Sequence, residues 1–135
     1  MSLTLEVEIN MSKPFYVNYE QPEGLENDAL TVLEAVSADP SNIRKGTNET
    51  TKSVERGNAK LVFLALDVDP PEIVAHIPLL CKDKKIPYLY VSTKEVLGNA
   101  SNLGVKTASC SIVHEGESKA KIDNLAARIK ELAGI

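Results

Sequence analysis

A three-layer α/β/α sandwich on a small mixed sheet is the fold this sequence predicts, from two observations. Apolar residues recur at helical spacing in a stretch near residue 30 and again at the C-terminus, and between those stretches lie continuous apolar runs of strand length. Runs such as AKLVFLALDV, PYLYV and ASCSIV suit strands covered on both faces, so the helices must lie above and below them.

The elements follow in order. MSLTLEVEIN alternates Leu3, Leu5, Val7 and Ile9 with polar neighbours, an edge-strand pattern, and Met11-Ser12 then reads as a second start. Residues 1–12 are therefore expected to be an upstream extension or a non-native addition, and residues 13–135 a single domain. After Pro22, the stripe Leu25, Ala29, Val32, Leu33, Val36 predicts a helix that Pro40 stops. A short IRK strand leads to Gly46, and Thr47 or Asn48 is placed to cap a helix running through Lys52 to Arg56 and ending at Gly57. AKLVFLALDV is a strand. DPPEIVAHI is expected to be helical, with Asp69 as cap and prolines in the first turn. PYLYV is the next strand, STKEVLGNA a short helix opened by Ser92 or Thr93, and ASCSIV a further strand. Ile122, Leu125, Ala126, Ile129, Leu132 and Ala133 form the stripe of a last helix before Gly134.

With 135 residues, 43% hydrophobic and 25% charged, the chain suits one domain with a sizeable core. Its longest apolar run, LVFLAL, is far short of the roughly 20 residues a membrane span needs, and no basic-then-apolar leader opens it. A soluble cytoplasmic protein without a membrane partner is expected. Cys81 and Cys110 stand alone in apolar surroundings, which suits reduced core residues rather than a metal site.

The net charge of −4 is unevenly spread: residues 1–39 carry −7, 40–62 carry +3, 63–80 carry −3, 81–106 carry +3, and the remainder balances. A fold can gather the two basic blocks into one face. The stretch IRKGTNETTKSVERG lies in the first block and is almost devoid of aliphatic residues. At about 100° per residue, Asn48, Glu49, Lys52 and Arg56 fall within an arc of roughly 100°. A helix this polar is either a solvated spacer or a presented binding face, and its N-terminal amides favour an anion.

Catalysis finds little support in the residues. His76 and His114, the only histidines, have no nucleophile or acid placed for them by sequence, and GTNETTK lacks the GxxxxGK[ST] spacing of a phosphate-binding loop. Neither a cofactor nor a small-molecule substrate is implied. The rival readings are a small α/β enzyme and a protein-only scaffold that uses the acidic helix near residue 30.

At GTNETTK a resemblance becomes specific. The run IRKGTNETTKSVERGNAKLV, then DVDPPEIVAHIPLLCKDKKIPYLYV and STKEVLG, resembles the archaeal large-subunit ribosomal proteins of the L-seven-Ae family, in three blocks in the same order across residues 13–135. Relatives of that family include the eukaryotic fifteen-and-a-half-kilodalton spliceosomal and snoRNP protein. The resemblance implies an RNA-binding α/β/α sandwich that recognises kink-turns, internal loops built on tandem sheared G·A pairs. It further implies service in the large ribosomal subunit, in box C/D and H/ACA guide RNPs beside partner proteins, and in ribonuclease P.

By position, the resemblance assigns Asn48, Glu49 and Lys52 to reading the G·A pairs and Lys45, Gly46 and Thr47 to the phosphate backbone. Arg56, further along the same face, is expected on phosphate. The assignment is chemically sensible. A sheared guanine leaves O6, N7 and N1–H open, so Lys52 can donate to O6 or N7, Asn48 can donate or accept, and Glu49 can accept from N–H. The family's pocket for a flipped-out base corresponds to Asp69, Ile73, Lys94 and the loop Leu103-Gly104-Val105-Lys106, where apolar side chains would cover an unstacked base. Where archaeal relatives carry glycine, an acid and proline in that loop, this chain has Asn102, Gly104 and Lys106. Asparagine can supply the left-handed backbone that glycine would.

Overall fold

The computed structural model describes residues 14–135, so the alternating segment at residues 3–9 lies outside the described residues. Among the described residues, five α-helices and four strands alternate: α1 (Leu25–Val36), β1 (Ile43–Lys45), α2 (Thr47–Glu55), β2 (Leu61–Ala65), α3 (His76–Lys84), β3 (Tyr88–Val91), α4 (Lys94–Ala100), β4 (Ser109–Ile112) and α5 (Lys119–Ala133). Short 3-10 turns at Pro40–Asn42 and Pro71–Ile73 complete them.

The sheet is mixed, in the order β1-β4-β2-β3, with β4 antiparallel to both neighbours and β2 parallel to β3. Every residue of β2, β3 and β4 is buried, as their unbroken apolar runs require. On one side α2 packs against β1, β4 and α3; α4 packs against β2 and β3, with α1 beside it on β3 and α5 against α1. The predicted three-layer sandwich is the observed one.

Helix α1 buries the predicted stripe, Leu25, Ala29, Val32, Leu33 and Val36, each large aliphatic contributing on the order of 1.5–3 kcal/mol relative to exposure. It stops at Ser37, and Pro40 opens the following 3-10 turn. In α5, Ile122, Leu125, Ile129 and Ala133 are buried, but Leu132 is 39% exposed, contrary to its place in the expected stripe. Cys81 and Cys110 are buried free thiols whose pKa values burial pushes up, to about 12 for Cys81.

One prediction of local structure fails. The segment after β2 is no helix capped by Asp69: it makes a 3-10 turn with Pro71 in its first positions, and the α-helix begins only at His76. Pro78 lies in the first turn of α3, where a missing N–H costs nothing because those amides have no intrahelical acceptor. The acid-before-proline signal marked the 3-10 turn, and Pro78 marked the helix.

The four tyrosines of the chain pack together at the part of the core where residues 14–21 cross β3. Tyr16 donates to the Ala65 carbonyl at 2.6 Å, Tyr19 to the Tyr88 carbonyl at 2.6 Å, and Tyr90 to the Tyr16 carbonyl at 2.9 Å. Gln21 bonds both backbone groups of Tyr90, each at 2.8 Å. Among the described strands β3 lies at an edge of the sheet, and Tyr19 and Gln21 occupy backbone groups of Tyr88 and Tyr90 that another strand would otherwise find open.

Strand directions decide what meets at one end of this sheet. Because β4 opposes the others, the C-terminal ends of β1, β2 and β3 and the N-terminal end of β4 lie together. The loops leaving there are the start of α2, residues 66–75, the start of α4 and residues 101–108.

Candidate nucleic-acid interface

Helix α2 begins without a side-chain cap. Gly46 is its N-cap, in place of the expected Thr47 or Asn48, with φ 86° and ψ 162°. A side chain would strain that backbone, so glycine is the fitting residue. The Gly46 N–H donates to the Ser109 carbonyl at 2.9 Å, which ties the start of α2 to the start of β4. With no side chain bonded to them, the first amides of the helix are left for an outside acceptor.

The sparse aliphatic content of this helix has a structural cause. Its underside is Thr50, Ser53 and Val54, all buried, and it rests on the small side chains of β4. Ser53 Oγ and Ser111 Oγ are 2.8 Å apart. Small residues on both surfaces let helix and sheet approach closely, and the longer polar side chains are left on the outside. Thr51 Oγ1 also meets His76 Nε2 at 2.8 Å, which fixes α2 to α3 and gives that histidine a structural partner.

The outer face carries Asn48, Glu49, Lys52 and Arg56, all exposed. Glu49 Oε1 and Lys52 Nζ are 3.4 Å apart, with both side chains about half exposed. Lys45, Gly46 and Thr47 precede them at the same end of the sheet. The predicted reading and backbone residues are thus contiguous on one helix and its entry.

The second predicted group surrounds the start of α4. Thr93 caps that helix, its hydroxyl accepting from the Val96 N–H, and Asp67 accepts from the Lys94 N–H at 2.7 Å. Asp67, which sequence reasoning passed over in favour of Asp69, therefore joins the loop after β2 to Lys94. Asp69 is exposed beside it and carries no cap. The Thr107 N–H bonds the Lys94 carbonyl at 3.2 Å, bringing in the loop Leu103-Gly104-Val105-Lys106. Asn102 has φ 62° and Gly104 φ 72°, so asparagine does take the left-handed conformation expected of it. Ile73 is 45% and Val105 67% exposed, apolar side chains left at the solvent edge. Leu103 is half-buried, with its N–H on the Gly98 carbonyl at 3.0 Å, and is less available than Val105.

Beside α2 the surface sinks into a cleft of about 460 Å³. Glu49, Lys52 and Arg56 line it from the helix, Arg44 from β1, Asn58 and Lys60 from the approach to β2, and His114 and Glu115 from the turn after β4. Sequence reasoning missed Arg44, Asn58, Lys60 and His114 as site residues. The net charge of residues 40–62 did mark the neighbourhood of Arg44 and Lys60, but only the antiparallel pairing of β1 and β4 brings in His114.

Residues 28–122 match the Ribosomal protein L7Ae/L30e/S12e/Gadd45 family. The chain belongs to this family. Its match takes in every residue of both predicted groups. Among solved structures the chain is similar to the Giardia lamblia 15.5kD RNA binding protein, with a TM-score of 0.79 and 34% identity over 88% of this chain and 98% of that one. Within the family frame, α2 and the loop ends described above are the polar and apolar surfaces gathered at one end of the sheet. Among the described residues, no helix is long and apolar enough to cross a membrane.

Proposed function

We propose that this protein binds kink-turn RNA, stabilising a bend built on tandem G·A pairs, as a cytoplasmic component of the large ribosomal subunit, of box C/D and H/ACA guide RNPs beside their partner proteins, and of ribonuclease P. It acts by binding; chemistry in the guide RNPs belongs to the partners. Membership of the family and the similarity to an RNA-binding protein support this reading.

The observation that carries it is the placement of Asn48, Glu49 and Lys52 on the open face of a helix with no side-chain cap, at the same end of the sheet as exposed Ile73 and Val105. Polar donors and an acceptor suit guanine edges, the amides suit phosphate, and the apolar rim suits an unstacked base. A purely electrostatic RNA surface has no use for the acid Glu49. Base reading does.

Titration with one short RNA holding tandem G·A pairs, and with the same RNA carrying Watson–Crick pairs there, tests the reading across a salt series. The G·A form should bind more tightly at every salt concentration. Equal affinity would defeat it, and an absence of binding to either would favour the protein-only scaffold.

A further inference from the structure

Ser92, the alternative cap for α4 in the sequence, turns instead to α1. Its N–H and its hydroxyl both donate to Glu26 Oε2, at 3.0 and 2.9 Å. Glu26 stands in the first turn of α1, and a charged acceptor makes both bonds of the stronger kind. The turn from β3 into α4 is held from its other side as well. The Leu66 N–H donates to the Val91 carbonyl at 2.9 Å, and the Lys94 N–H donates to Asp67 Oδ1 at 2.7 Å. The backbone of residues 91–94 is thus clamped between α1 and the exit of β2.

The clamp engages backbone and leaves one side chain free. Amides of Ser92, Lys94 and Val96 are taken by the side chains of Glu26, Asp67 and Thr93. Among the described residues, no carboxylate lies within ion-pair distance of the Lys94 ammonium. This entry therefore differs from that of α2, whose first amides meet no side-chain cap: what it presents is Lys94 itself, half-buried and fixed at its own N–H. A carboxylate beside the RNA-facing end of the sheet repels phosphate. Glu26 thus weakens RNA attraction unless what it holds in place outweighs that repulsion.

We propose that Glu26 is a positioning residue for RNA binding: from α1 it fixes the turn into α4 so that the Lys94 ammonium stands ready at the flipped-out nucleotide. The proposal rests on the kink-turn reading and deepens it, since it gives an acid on the far side of Lys94 from the base-reading helix a part in recognition. Holding Ser92 by two bonds spares the RNA the cost of ordering the turn when it binds. Glu26 itself touches no RNA.

The test titrates the full chain with the G·A RNA at one fixed salt concentration. Glu26→Ala should weaken binding several-fold, although it removes a negative charge and leaves α1 a good helix former. Glu26→Gln keeps an acceptor oxygen for Ser92 and should recover most of that loss. Glu23→Ala controls for charge: Glu23 is exposed just before α1 and, among the described residues, has no ion-pair partner, so its removal should not weaken binding. In a Lys94→Gln background, itself weaker than wild type, Glu26→Ala should cost nothing further, because it acts through Lys94. Ser92→Ala removes one of the two bonds from the other side, and its smaller loss should vanish in that background too; it decides the matter if Glu26→Ala folds poorly. Additive losses, tighter binding by Glu26→Ala, equal losses in its Ala and Gln forms, or wild-type affinity in Lys94→Gln alone would each overturn the proposal. All four leave the kink-turn reading standing while wild type still prefers G·A over Watson–Crick pairs. Loss of that preference would strike the reading itself.

Discussion

Gly98 and Val105 touch backbone to backbone: a Cβ placed on Gly98 would come 2.0 Å from the Val105 carbonyl oxygen. Helix α4 therefore sets the height of the loop at residues 102–106, and only a residue without a side chain allows the loop to lie so close. Gly98→Ala should move the loop outward. The helix gains up to about 1 kcal/mol in intrinsic propensity, but forced overpacking costs about 1–3 kcal/mol. A lowered unfolding temperature together with weaker kink-turn binding is expected; an unchanged temperature would mean the loop yields freely.

Val105 tests the apolar rim with the fold left alone. It is 67% exposed, so Val105→Asp should leave the circular dichroism spectrum and unfolding temperature as they were. If an unstacked base rests there, binding should weaken by several-fold or more, because a charge would replace the covering surface. Leu103→Asp should weaken binding too but also destabilise the fold, since Leu103 is half-buried. Undiminished binding in Val105→Asp would remove the loop from the interface.

Lys45 and Arg56 should contribute through phosphate. Replacing either with Ala is expected to weaken G·A RNA and control RNA by similar factors and to lower the salt slope by a little under one unit each. A loss confined to the G·A RNA would place that residue on a base edge instead.

The tyrosine cluster predicts alkaline behaviour. Burial raises all four hydroxyls above the ordinary value of 10.0, to about 12 for Tyr16 and Tyr88 and further for Tyr19 and Tyr90. A raised folded pKa favours the native state while the group is protonated, so this stability is complete below pH 10 and is lost as pH rises from 10 through 12 and above. An absorbance titration should show no tyrosinate at pH 10, then ionisation together with unfolding. Ionisation of the folded protein near pH 10 would contradict the burial of the cluster.

Much of the fold was legible because its signals are local. The stripe of α1 and the continuous apolar strands reflect burial of neighbouring residues, and Thr93 announces α4 by its own hydroxyl. Less legible was the segment between β2 and α3, where Pro70, Pro71 and Pro78 offer competing starts and the pattern does not rank them. Leu132 matched the spacing of α5 yet lies exposed near the end of its helix, where little packs over it. The tyrosine cluster joins residues 16–21 to residues 65 and 88–90, and no periodicity reports a contact across such a separation. For the candidate site, α2 could be read as a unit because its residues are consecutive. The cleft could not, because Arg44, Lys60 and His114 become neighbours only through strand pairing.

The central claim, that the α2 face reads guanine edges, turns on the one acid in that basic setting. Glu49 is exposed and, among the described residues, pairs only with Lys52, so its replacement should not disturb the fold. If it were a solvated surface charge, Glu49→Gln would remove a repulsion with phosphate and tighten RNA binding. If it accepts guanine N–H protons, Glu49→Gln keeps the shape but puts a donor where an acceptor is needed. Binding to the G·A loop should then weaken by roughly 1–3 kcal/mol, while binding to a duplex lacking the loop should hold or improve. Titration of both RNAs with wild-type and Glu49→Gln protein at one fixed salt concentration measures the difference. Selective loss on the G·A loop is the predicted result, and tighter binding of the variant to that loop would contradict it.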